Sequence, residues 1–169
     1  ARTKDLTAND KLTNHLIQTL RWTATLSHPQ PSETDDEQWD KEAASWGSPQ
    51  ARISAAIGLM ILASRPETFI SDLELDVDRL SLDPVPAVRF QIFTHIIWLR
   101  KTAPEFMWKM MNRCAGFEKR LGVLAYFSEM LLQFTQQDDA EIEKIVRKVF
   151  RRARKDSRAS STRGRCAYF

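Results

Sequence analysis

Apolar residues recur along this chain at the spacing of buried helix faces. Leu12, Leu16, Ile17, Leu20 and Ala24 form one stripe, which predicts a helix over 9–26. Residues 51–64 are apolar on nearly all sides, through Ile53, Ala55, Ala56, Ile57, Leu59, Met60, Ile61 and Leu62. A helix without a polar face is covered from several directions, so this one belongs in the middle of the fold. Over 87–101, Val88, Ile92, Phe93, Ile96 and Leu99 face inward, with Phe90 and Ile97 widening the stripe. Pro104 opens a helix over 105–113 that carries Phe106, Met107, Met110 and Met111, and Cys114, Ala115 and Gly116 are expected to end it. Residues 118–134 and 139–155 complete the series. The first is lined by Leu121, Leu124, Phe127, Met130, Leu131 and Phe134. The second follows a cap at Asp138 or Asp139 and is lined by Ile142, Ile145, Val146, Val149, Phe150 and Ala153.

Three stretches interrupt this pattern. Residues 69–82 alternate like a strand at Asp72 to Asp78, yet Ile70, Leu73, Val77 and Leu80 also share a helical face. A lone strand among helices leaves its backbone unpaired, so a helix is expected there. Residues 28–44 contain Pro29, Pro31 and six acids. They lack the central glycine and terminal glutamate of a calcium loop, and read as a solvated acidic loop tethered by Trp39 and Trp46. Residues 156–169 are rich in Ser and Arg and are expected to be a basic, disordered tail.

Two segments repeat at an offset of 37 residues: Pro49 to Leu62, with Arg52 and Ile53, and Pro86 to Leu99, with Arg89 and Phe90. A third aligns more weakly, with Arg120 and Leu121 in the corresponding places. A period of this size marks stacked helix pairs. The turn Asp83, Pro84, Val85, Pro86, Ala87, Val88, Arg89 resembles the inter-helix motif of the HEAT repeat. The resemblance covers about 49–134. It implies an all-α fold, an α-α superhelix of about three HEAT-like helix pairs over 1–155, closed by a basic C-terminal capping helix. It also implies that Asp83 and Arg89 are ladder residues with a structural role. Trp46 and Cys114 stand where the flanking units would carry the aspartate, so a continuous ladder is not expected.

The composition agrees with this class. The chain has 169 residues, 43% of them hydrophobic and 28% charged, with only 5 glycines, too few for the turns of an all-β fold. No apolar run approaches the roughly 20 residues of a membrane helix, and the polar start has no leader pattern. The two cysteines, Cys114 and Cys166, make neither a disulfide framework nor a zinc set, so an intracellular location, cytoplasmic or nuclear, is expected. The first residue is Ala, which fits either a trimmed chain or a piece of a longer one. No catalytic or phosphate-binding motif is present, and a non-enzymatic scaffold for protein partners, without cofactor or metal, is the expectation.

Two regions are candidates for binding. Gln91, Thr94, His95 and Trp98 share the helix face opposite the apolar stripe, and Trp22 lies off the stripe of the first helix; both mark partner contacts. The second is the basic end. From Lys144 onward ten basic residues oppose one acid, Asp156, for a net charge of +9, while the remainder carries −6 and the whole chain +3. Lys144, Arg147, Lys148, Arg151, Arg152, Arg154 and Lys155 lie on the last helix or just past it, and suit nucleic-acid phosphates or another polyanion. The terminal Cys166, Ala167, Tyr168 and Phe169 have only the outline of a prenylation box, with Tyr168 out of place, so membrane attachment is not expected.

Overall fold

The stripes become helices in the computed structural model, which describes residues 7, 10–41, 50–66, 68, 71–134 and 140–167. All regular secondary structure among them is helical: α1 (Lys11–Thr23), α2 (Glu33–Trp39), α3 (Ala51–Ala63), α4 (Asp72–Leu80), α5 (Pro86–His95), α6 (Pro104–Phe117), α7 (Leu121–Leu131), α8 (Ala140–Ala153) and α9 (Ser160–Cys166). Short 3-10 turns at Ile96–Arg100 and Leu132–Phe134 extend α5 and α7. Trp46, Ile70, Asp138 and Asp139 lie outside the described residues.

Successive helices pack in two rows. In one row α3 packs on α5, α5 on α7 and α7 on α9. Residue contacts fix their direction: Thr102 Oγ1 donates to the Ala63 carbonyl at 2.7 Å, and Arg52 reaches the Asp83 carboxylate at 3.3 Å. Early residues thus meet early ones and late residues late ones, which makes α3 and α5 parallel. The second row is α1, α4, α6 and α8. Arg21 Nε donates to Asp76 at 2.7 Å between α1 and α4, Arg113 to Asp78 at 3.1 Å between α6 and α4, and Asn112 to Glu141 at 3.0 Å between α6 and α8. Where α1 crosses α3, residue 58 is glycine, and a Cβ there would stand 2.9 Å from Leu20 Cδ2. The core between the rows holds Leu59, Met60, Leu73, Phe93, Met107, Phe127 and Phe134, each 2% exposed or less.

Several expectations need correction. The acidic connection 28–44 is not all loop, because α2 forms within it and lies on α5 and α7. Trp39 anchors it, 3% exposed and with its ring centroid 5.3 Å from that of Phe90. Leu12 is 63% exposed, and the covered face of α1 is carried by Thr13, Leu16, Ile17, Leu20 and Ala24. Helix α6 does not stop at Gly116 but runs through it to Phe117. The tail 156–169 is not disordered throughout: α9 packs on α7 and α8, with Ala159, Thr162 and Cys166 buried. Helix α8 is therefore followed by a further packed helix rather than ending the fold. The physical reason is residue size. Small side chains allow α9 a close approach without the large apolar stripe that marks a buried helix in a sequence.

Candidate functional site

The densest polar cluster lies at the turns that open α5 and α7. Asp83 precedes α5, and its Oδ1 accepts the Val85 N–H at 2.8 Å, which satisfies a donor at the helix mouth. The same carboxylate faces Arg52 of the preceding helix α3. Glu118 holds the matching place before α7. Its Oε1 accepts the N–H groups of Lys119 and Arg120, both at 2.9 Å, and its two oxygens take Arg89 of α5 in a fork at 2.8 and 2.9 Å. Burial pushes the Arg89 guanidinium down, but hydrogen bonds and charge from Glu118 outweigh it and hold the group above its ordinary value. Arg89 touches Asp83 through the main-chain carbonyl, at 2.7 Å, and its carboxylate partner is Glu118. Glu118 lies four residues beyond Cys114, the position that the repeat pattern assigns to the aspartate. Its one signal in the sequence is an acid just ahead of a helix start.

Next to these links is a cleft of about 300 Å³, lined by Leu82, Pro84, Phe93, Phe117, Lys119 and other residues of the two turns. Leu82 is 63% and Phe117 79% exposed, and each immediately precedes a turn carboxylate. Arg113 donates to Ser81 Oγ at 2.7 Å and to Asp78. Burial pushes the Asp78 carboxyl up, and the bonds from Lys109 and Arg113 prevail and hold it below its ordinary value.

The patch expected on α5 is only partly open. Gln91 is fully buried, and neither its Oε1 nor its Nε2 has a hydrogen-bond partner among the described residues; the same holds for Thr94 Oγ1. Gln91 therefore offers nothing to an external partner. The backbone tightens to 3-10 geometry after His95, and the rings of His95 and Trp98 lie against each other, tilted by 47° with centroids 4.2 Å apart. Trp98 is 39% exposed and Trp22 65%, so both retain accessible surface. Burial lowers the His95 pKa below 6.5, opposed by the hydrogen bond its Nδ1 makes to the Gln91 carbonyl at 2.8 Å. The folded state thus binds this proton less readily than the unfolded chain, so the stability due to neutral His95 is complete above pH 6.5 and is lost as pH falls below it. Urea midpoints taken from pH 7.5 down to about 5 should fall more for the wild type than for His95→Gln; parallel curves would disprove the assignment.

The basic end is largely committed to the fold. Arg152 donates to the carbonyls of Cys114, Ala115 and Glu118 at the end of α6. Arg163 donates to the Ala153 carbonyl at 3.1 Å and the Asp156 carbonyl at 2.7 Å past the end of α8, and Arg165 to the Ala125 carbonyl at 2.8 Å. Lys144 pairs with Glu141, Arg147 with Glu143 and Arg158 with Asp156, while Lys148 donates to Asn112. Arg151, Arg154 and Lys155 are exposed and make no ion pair among the described residues. Of the ten basic residues from Lys144 onward, Arg152 and Arg163 close helix C-termini, whose carbonyls carry partial negative charge, and Arg165 reaches a carbonyl within α7.

Cys114 and Cys166 are both unpaired and buried. Burial pushes the Cys114 thiol well up, aided by the charge of Glu118, and burial alone pushes Cys166 to about 11. Since the thiolate is the reactive form, neither thiol should react with a disulfide reagent in the native state, and both should react in denaturant. A rapidly reacting thiol in the native protein would contradict this burial. Among the described residues no helix is long and apolar enough to cross a membrane, and no group of three or more His, Cys, Asp or Glu residues is placed to hold a metal ion. Compared with known proteins, the chain matches no family model, no curated protein and no solved structure.

Proposed function

We propose that the chain is a HEAT-like helical-repeat scaffold that binds protein partners. In this reading α1 with α3, α4 with α5 and α6 with α7 are three stacked pairs, and α8 with α9 closes the array. One observation carries it: consecutive pairs are joined in the same way, Arg52 of α3 to the Asp83 turn and Arg89 of α5 to the Glu118 turn. A link repeated from pair to pair is what a stacked array needs to hold a constant register, and such arrays present extended surfaces to partners. The exposed rings of Trp22 and Trp98 suit that role, since aromatic side chains dominate protein contacts. The internal use of most basic side chains favours protein over nucleic acid as the partner class.

Photo-crosslinking amino acids at positions 22 and 98, in cells producing the protein, test this. Adducts that protease removes and nuclease does not are expected at one or both positions. Adducts removed by nuclease alone, or none at either position, would overturn the reading.

A further inference from the structure

The charges around the cleft between the two turns do not balance. Asp83 is spent on Arg52 and on the mouth of α5; Glu118 is spent on Arg89 and on the mouth of α7. Arg120 faces Asp40 at 3.2 Å. Among the side chains around the cleft, counting these partners, two positive charges then remain. One arises because Asp78 is shared by Lys109 and Arg113, each at 3.1 Å. The other is Lys119, which is exposed and has no ion-pair partner there. The surplus lies beside an apolar lip rather than in open polar surface. Leu82 and Phe117 stand 63% and 79% exposed on the two turns, and both line the cleft. Phe117 is the most exposed large apolar side chain among the described residues, although it ends a helix whose other large apolar residues are buried or half-buried.

We infer that this cleft docks a short acidic segment of a partner protein, with one aliphatic or aromatic side chain seated between Leu82 and Phe117 and flanking carboxylates facing Lys119 and Arg113. The inference rests on the scaffold reading and gives it a site and a partner chemistry. The volume, about 300 Å³, suits one large side chain and part of the main chain bearing it. The apolar lip supplies surface to be covered, and the surplus cations select the sign of the flanking charge. A nucleic acid fits less well, because its phosphates need a run of cations along a track and these ring a single cleft.

A fluorescein-labelled nonapeptide with a central Leu among Asp and Glu residues is the probe, followed by anisotropy on the full chain. Saturable binding is expected that weakens with salt, weakens about tenfold in Phe117→Ser and in Lys119→Glu, and is unchanged in Arg151→Glu. Phe117 and Lys119 are exposed and carry no core contact, and circular dichroism of each variant confirms the fold. No saturable binding, equal binding of an all-Asp nonapeptide, or equal competition by a nine-nucleotide single strand would each overturn the proposal. The crosslinks at positions 22 and 98 report on the scaffold reading separately. Adducts there together with a silent cleft defeat this inference alone; absent adducts with a binding cleft defeat the broader reading.

Discussion

Glu118→Ala should cost the fold about 3–5 kcal/mol, read from equilibrium urea unfolding, the range typical for breaking a buried ion pair from one side. The Glu118 side chain is 1% exposed and serves three groups at once: the Arg89 guanidinium on α5 and the Lys119 and Arg120 N–H groups before α7. Alanine removes the acceptor from all three, and Arg89, only 15% exposed, loses its carboxylate partner while keeping the Asp83 and Pro84 carbonyls. Glu118→Gln should fall between alanine and wild type, because its amide oxygen can still accept at the helix mouth but carries no charge for the guanidinium. Salt should change neither ΔΔG much, since a covered pair is weakly screened. A loss below about 1 kcal/mol for alanine would place Glu118 among ordinary surface pairs.

Removal of residues 157–169 should lower stability by roughly 2–4 kcal/mol, from the apolar contacts it uncovers. Helix α9 buries Ala159 against Leu121 and Ala153, and covers Thr162 and Cys166. The deletion also strips Arg163 from the carbonyls past α8 and Arg165 from the Ala125 carbonyl and the Glu129 carboxylate. A disordered tail predicts the opposite result, an unfolding midpoint that does not move, so one pair of melts separates the two descriptions.

The parts of this fold that were legible in the sequence are those with large apolar residues at regular spacing. Val88, Ile92, Phe93, Ile96 and Leu99 are all buried as their period requires, and so are Leu73, Val77 and Leu80, where helix and strand patterns competed. Glu118 was not legible as a partner of Arg89, because 29 residues separate them and nothing local reports a long-range fork. Gln91 reads as polar and therefore outward, yet it is fully buried on a helix packed by both α3 and α7. Leu82 and Phe117 belong to no apolar stripe in the sequence, and it is the turns that carry them that place these large apolar side chains outside.

The arginines that close helix ends also bear on the order in which the chain can finish folding during synthesis. The carbonyl of Ala24 at the end of α1 receives Arg79, 55 residues later; that of Asp78 receives Arg113, 35 later; that of Cys114 receives Arg152, 38 later. As the chain leaves the ribosome, each of these ends stays open to water until the next stretch of helix has emerged. At α1, α4 and α6 the newest helix end is thus the unfinished one until its arginine arrives.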